Sequence, residues 1–357
     1  MPVFASGAER SVARISSPGA RQPWVVINAY AHIDSGGPEA LVQLAVALSG
    51  LFNSTRLLKS PLNPRLAAEY PALPQIPQVG WNHMRPGDLL VQPDTTPCNE
   101  AETQRGVSTW IWMLSTAARR QMWRNKRRGC HALAHNFWLA SHTLAGFDLS
   151  RRWVIRPYIS PTIRASCAVA RGGAQKRNLV LLDSDTTDEV AAAARGACGN
   201  SSEVCEVVLV KGLPRAEVGR LLAAARIVVD WCLIGTERMV VEAVLCGAVL
   251  LTSHCLCGTE PRDFPIPERN LLATRRPGDL LRAIPRVLGD FERETAEYAG
   301  MRELYGSLDA DSFRAETLAA FAEELDARDG GARAAALPQR EVRDALGRLP
   351  YLNVSRT

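Results

Sequence analysis

"DWCLIGTERMVVEAVLCGAVLLTS", Asp230 to Ser253, holds the pattern on which the fold turns. It opens at the end of the apolar run "ARIVVD" and closes on another, "GAVLLTS", so a helix entered through a Gly-containing loop lies between two strands. Both runs are almost continuously apolar, as strands covered on both faces of a parallel sheet must be. The helix "ERMVVEAVLCG" stops at Gly247, and its charges, Glu237, Arg238 and Glu242, crowd its beginning. Arg238 and Glu242 are one turn apart and share a face. A cation there can neutralise a diphosphate, and a carboxylate one turn along can accept hydrogen bonds from two neighbouring ribose hydroxyls. An exposed Arg–Glu pair is the plainer alternative and is worth little. Against it stands their position, at the beginning of a helix whose remainder is apolar.

Outward from that unit, "NLVLLDSD" and "CEVVLVKGL" read as two further buried strands, and Val218, Leu221, Leu222 and Ala225 share one helical face between them. Pro285 within "DLLRAIPRVLGD" is expected to break or kink the next helix. Leu318, Phe321 and Leu325 mark an amphipathic C-terminal helix. In the front half, "PWVVINAYA" (residues 23–31) is a strand, and "HIDSGGPEALVQLAVAL" (residues 32–48) is a Gly loop running into a helix. "DLLVQPD", "STWIWMLS", "HALAHNFWLA" and "RWVIRPYI" continue the alternation, while "RASCAVARGGAQKR" has a hinge composition. The expected organisation is α/β with two Rossmann-like units: a tail at 1–22, a first unit at 23–163, a linker at 164–177, a second unit at 178–310, and a helix and tail at 311–357. Parallel sheets bind ligands beyond the carboxyl ends of their strands, so the cleft between the units is the expected site.

Composition agrees with two domains: 357 residues exceed what a single core usually organises, and 46% hydrophobic with 22% charged residues is globular. No apolar run is long enough to cross a bilayer. A formal charge of +5 is mild and gives no ground for expecting a nucleic-acid partner. Nine cysteines, an odd number spread along the chain, do not form the even set of a small disulfide scaffold, so buried thiols in a reducing compartment are expected. Cys255 and Cys257 lack the further ligands of a zinc site. Residues 1–22, with Arg10, Arg14 and Arg21 against Glu9, read either as an organelle-targeting leader or as a plain tail, and the expected location is soluble and cytoplasmic unless the leader directs the chain elsewhere.

Gly36 and Gly37 let a backbone turn sharply and leave a helix N-terminus bare, where free N–H groups attract anions. Pro38 suits the first helical turn. A tight strand-to-helix turn without a ligand is the alternative.

Gly235-Thr236-Glu237-Arg238, Glu242-Ala243 and Gly247, followed by "SHCLCGTEPRDFPIP", resemble the nucleotide-sugar half of GT-B glycosyltransferases. "GGPEALVQL" resembles the first Gly loop and helix of those enzymes, "WIWMLS" a middle strand, and "AHNFWLASHTLAGF" the segment ahead of the interdomain link; together the matches span residues 24–290. The resemblance implies a nucleotide-sugar donor held by the second unit, with Glu242 on the ribose, Gly235, Thr236, Glu237 and Arg238 near the diphosphate, and Gly36 and Gly37 on the cleft floor. It implies a glycan, lipid or protein acceptor entering from the first unit, and neither cofactor nor metal. Two positions depart from the family pattern. Ile234 stands where retaining members carry a first glutamate, and "LLDSDTTDEV" offers Asp183, Asp185 and Asp188 where an Arg and a Lys normally face the diphosphate, leaving Lys211 or Arg238 as substitutes.

Two alternatives follow from those departures: a catalytically silent GT-B-like binding protein, or a metal-dependent GT-A-type transferase using Asp183 and Asp185. For catalysis, His135 after an apolar segment, His32 ahead of the Gly loop and Asp34 within it are the candidates, each weighed against a structural role. "ARRQMWRNKRRG", residues 118–129, packs six cations around Trp123; it is a solvated loop or a contact for an anionic surface.

Overall fold

The computed structural model describes residues 23–33, 35–98, 105–116, 125, 130–142, 153–171, 175–199, 204–235 and 237–329. The first lobe comprises β1 (Val25–Ile27), α1 (Gly36–Ser49), β2 (Thr55–Leu58), α2 (Pro64–Glu69), β3 (Gln78–Val79), β4 (Leu89–Pro93), β5 (Ser108–Met113), β6 (His131–Ala134), α3 (Phe137–His142) and β7 (Trp153–Val154). Its strands lie in the order β3-β2-β1-β4-β5-β6-β7, each pair parallel. After α4 (Pro161–Arg171) comes a second lobe of β8 (Arg177–Leu182), α5 (Asp188–Cys198), β9 (Glu206–Leu209), α6 (Arg215–Ala224), β10 (Ala225–Val229), α7 (Arg238–Leu245), β11 (Val249–Ser253) and β12 (Leu271–Leu272). This sheet runs β12-β11-β10-β8-β9 and is again parallel. The chain ends in α8 (Leu280–Gly289), α9 (Phe291–Ala296), α10 (Ala299–Gly306) and α11 (Ala310–Asp329).

Strand order reverses between β1 and β4 in one sheet and between β8 and β10 in the other. At such reversals the flanking loops diverge and leave a crevice at the carboxyl edge. The loops after β1, β4, β8 and β10 are therefore the ones placed to hold a ligand.

The unbroken apolar runs are explained by burial: Ile227, Val228 and Val229 of β10, and Val249, Leu250 and Leu251 of β11, are fully buried. α11 does not stay with the second lobe. It returns to the first, where Phe313 and Phe321 pack against Trp112 and Trp110. Residues 164–171, expected within a linker, lie in α4, whose Ile163 and Cys167 enter the second core; Gly172 and Gly173 lie outside the described residues. Pro285 does not break α8, which continues through it to Gly289. The carbonyl it leaves without a helical donor is that of Leu281, whose residue is half exposed.

The cysteine expectation is overturned. Eight of the nine pair as Cys98–Cys130, Cys167–Cys246, Cys198–Cys205 and Cys232–Cys255, leaving Cys257 as a buried thiol. Sequence spacing hid them because their partners stand between 7 and 79 positions apart and are joined only by the fold. Cys167–Cys246 ties α4 to the end of α7, and Cys232–Cys255 ties the loop after β10 to the loop after β11. No helix of the described residues is long and apolar enough to cross a membrane.

Candidate functional site

The carboxyl edges of the two sheets meet along a polar seam. Ser115, after β5, forms an antiparallel bridge with Gly235, and the Thr116 N–H donates to the Ile234 carbonyl at 2.7 Å. A side chain on Gly235 would press into the Leu114 carbonyl oxygen, so glycine there admits the other lobe's backbone. The first-lobe side is held by buried Asp94, whose Oδ2 accepts from the Leu114 and Ser115 N–H groups at 3.1 and 3.0 Å. Further along, Asp263 of the second lobe accepts from the Phe137 and Trp138 N–H groups at 2.9 and 2.8 Å, capping the first turn of α3. Burial pushes the Asp263 carboxyl up to about 6 despite those two bonds.

Behind the seam lies a buried charge network. The Arg238 guanidinium donates to Glu39 Oε2 in the first turn of α1 and to Glu242 Oε1 at 3.2 Å, and Arg215 also donates to Glu242 Oε1 at 2.5 Å. Tyr70 Oη donates to Glu39 Oε1 at 2.6 Å and accepts from Gln43 Nε2 at 2.9 Å. Glu39 and Glu242 are 3% and 1% exposed, so these are desolvated ions satisfied by one another. Burial works against the Arg238 charge, but Glu39 and Glu242 outweigh it and hold the guanidinium charged. Burial pushes Glu242 up to about 7, opposed by Arg238. A Cβ added to Gly36 would lie 3.1 Å from Arg238 Cδ. The bare backbone at Gly36 lies under the stem of the other lobe's Arg238, whereas Gly37 faces Leu114 of its own lobe.

A second charged cluster sits at the strand reversal of the second sheet. Asp183 and Asp185 follow β8, Asp230 follows β10, and Glu237 precedes α7. Asp183 Oδ2 accepts from the Asp185 N–H at 3.3 Å. Asp230 is 3% exposed, and its Oδ2 has no hydrogen-bond partner. Burial, then repulsion among these acids, pushes Asp183 up to about 6, Glu237 to about 7 and Asp230 well above the usual carboxylate range. None of the four forms an ion pair among the described residues. Lys211 is exposed beyond β9, and Arg238 is engaged with Glu39 and Glu242, so neither neutralises the acids.

Of the histidines, His135 is buried beside the Trp112 ring, edge-on at 6.1 Å, with Nδ1 unpartnered. Burial pushes its pKa down to about 4, which keeps it neutral. His32 is exposed after β1, its Nδ1 3.0 Å from Ser60 Oγ. Asp34, Thr236 and, apart from Asn125, residues 118–129 lie outside the described residues. Sequence reading missed Glu39, Tyr70, Arg215 and Asp230 as site residues, and Asp263 as the cap that joins the lobes. Asp230 had a signal: it ends a buried strand one residue before a loop already singled out. Tyr70 and Arg215 had none, since only tertiary packing brings them to Glu39 and Glu242.

No family model matches the sequence, and no curated protein matches it either. Solved structures do match. HepE of Anabaena in complex with UDP-glucose aligns with 85% of this chain and 100% of its own at 11% identity and a TM-score of 0.60. The same protein with UDP aligns with 86% of this chain and 100% of its own at 12% identity and 0.57. A glycosyltransferase from Rickettsia africae aligns with 86% and 99% at 10% identity and 0.53. With two parallel sheets in this strand order, their carboxyl edges opposed, and a last helix returning to the first lobe, the chain has the GT-B fold.

Proposed function

We propose that this chain is a glycosyltransferase that takes its sugar from a nucleotide-sugar donor bound at the carboxyl edge of the second sheet. The observation that carries this is the opposition of the two strand reversals across the seam, with the Gly235 loop against Leu114 and Ser115 and Arg238 at the start of α7 against Gly36. The likeness to HepE, solved with UDP-glucose, supports the same placement. Glu242 is proposed to take the ribose hydroxyls, and Gly235, Thr236, Glu237, Arg238 and Lys211 to surround the diphosphate. Donor binding then exchanges Arg238 from Glu39 to the phosphates. As the C1–O bond breaks, its electron pair passes to the leaving phosphate, and preorganised N–H groups and guanidinium charge lower the barrier by meeting it.

His32 and Asp34, on the loop after β1, are the proposed bases for an acceptor hydroxyl approaching from the first lobe, and neutral His135 is proposed to support the transferring sugar. The nucleotide sugar brings its own leaving group, so no organic cofactor is invoked. The acceptor is a glycan, lipid or protein. Four disulfides argue for an oxidising compartment rather than the cytosol.

A second reading, a silent GT-B-like binding protein, is favoured by one observation: Arg238 and Glu242 are already sealed by Glu39 and Arg215. Incubating the chain with UDP-, GDP- and ADP-sugars and measuring release of the nucleoside diphosphate separates the two. The enzyme liberates nucleotide from at least one donor, and liberation is lost in Glu242→Ala. Nucleotide binding without turnover of any donor would instead support the silent protein.

A further inference from the structure

We propose that Asn53 is a modification site: its side-chain amide receives an N-linked glycan as the chain enters an oxidising, secretory compartment. This rests on the compartment reading drawn from the disulfides above. Asn53-Ser54-Thr55 has the Asn-x-Thr spacing that such transfer requires, with no proline between. A triplet alone is a weak signal, so its setting decides. Asn53 is exposed in the turn between α1 and β2, which the Thr55 N–H closes on the Phe52 carbonyl at 3.0 Å. The Asn53 carbonyl accepts from Arg56 Nη1 at 2.8 Å, whereas its side-chain amide makes no hydrogen bond among the described residues. A glycan attached there displaces nothing from the core. The turn also lies at the amino end of β2, and the proposed donor site lies at the carboxyl edges, so the glycan leaves the cleft open.

Thr55 supplies the independent observation. It is the first residue of β2, 2% exposed, and its Oγ1 has no hydrogen-bond partner. Burying an unpaired hydroxyl is unfavourable, and Val would fill the same space in a strand without that cost. The fold therefore gives no reason for Thr at this position. Glycan transfer does: before folding, while the segment is still accessible, that hydroxyl is the recognition group two residues beyond the acceptor. The co-reactant is a lipid-diphosphate-linked oligosaccharide, presented by a membrane-bound transferase of the secretory route. The Asn53 amide nitrogen bonds to the sugar C1 as the C1–O bond breaks. The electron pair of that bond leaves on the lipid diphosphate, the amide proton passes to a base of the transferase, and nothing is oxidised or reduced.

The test is expression of the full chain behind a cleavable secretory leader in a eukaryotic cell, so that the result does not depend on where residues 1–22 direct it. All of the chain made, folded or not, is treated with peptide-N-glycosidase in heavy-oxygen water and mapped by mass spectrometry. The peptide holding Asn53 is read by itself, because Asn200-Ser201-Ser202 and Asn353-Val354-Ser355, outside the described residues, have the related Asn-x-Ser spacing. Heavy oxygen at position 53 is expected in most molecules of the native chain and of Thr55→Ser, and in none of Asn53→Gln or Thr55→Val. Compared with Asn53→Gln, which also lacks the glycan, Thr55→Val should unfold at no lower urea concentration. An unlabelled position 53 in the native chain would overturn the site, whatever the other triplets carry. Label persisting in Thr55→Val, or a lower urea midpoint for it, would overturn the role given to the Thr55 hydroxyl. Thiol counting on the same preparation separates the two readings: bridges formed with position 53 bare contradict the site alone, whereas nine free thiols contradict the compartment.

Discussion

Arg238, at the start of α7 in the second lobe, donates to the Glu39 carboxylate in the first turn of α1 in the first lobe, its stem lying over Gly36. Glu39 is buried and Arg238 is mostly so, with 16% of its side chain exposed, so the pair joins the lobes by charge where water screens it weakly.

Glu39→Gln should therefore move stability and ligand binding in opposite directions. The neutral amide loses the charged bond, which lowers unfolding free energy by about 1.5–3 kcal/mol, because Arg238 retains Glu242. Arg238→Met leaves Glu39 without its cation and should cost more, about 3–5 kcal/mol. Urea unfolding measures both. In Glu39→Gln the freed guanidinium should also bind nucleoside diphosphates more tightly than in the native chain.

At the seam, Gly235→Ala should separate the lobes, because the new methyl meets the Leu114 carbonyl, which is backbone and cannot rotate away. A loss of about 1–3 kcal/mol is expected, with an increased radius of gyration by small-angle scattering. Gly36→Ala meets only the flexible Arg238 stem at 3.1 Å and should be milder.

The pH dependence has two signs. Asp263 titrates near 6 when folded, above its ordinary value, so the stability it contributes is present below about pH 4 and is lost as pH rises through 6. His135 titrates near 4, below its ordinary value, so its contribution is present above about pH 6.5 and is lost as pH falls through 4. Urea midpoints at pH 5 and 7.5 should show Asp263→Asn gaining on the native chain at the higher pH, by about 1–3 kcal/mol.

Alkylation of the denatured, unreduced chain should label one cysteine, Cys257. Replacing Cys167 and Cys246 together by Ser should destabilise by about 2–4 kcal/mol, since their bridge closes a long loop. Mass spectrometry finding nine labelled thiols would restore the reducing-compartment expectation.

Much of this fold was legible because burial on both faces of a parallel strand leaves an apolar run that spacing alone reveals, as in "ARIVVD" and "GAVLLTS". The charged start of α7 was visible for the complementary reason, as polarity at the edge of an apolar helix. What escaped was everything decided by distance in the chain. Arg238 was expected on a diphosphate, yet its nearest carboxylate is Glu39, 199 positions earlier. Cysteine pairing across 79 positions and the return of α11 to Trp110 and Trp112 are likewise set by packing, which leaves no local periodicity.

Calorimetric titration of UDP-glucose, GDP-mannose and ADP-glucose into the native chain and Glu242→Gln bears most directly on a donor site at the second lobe. Saturable binding of at least one donor to the native chain, weakened about tenfold or more by the substitution, which is about 1.4 kcal/mol, is the predicted result. Failure of all three to bind, or equal affinity for the two proteins, would contradict it.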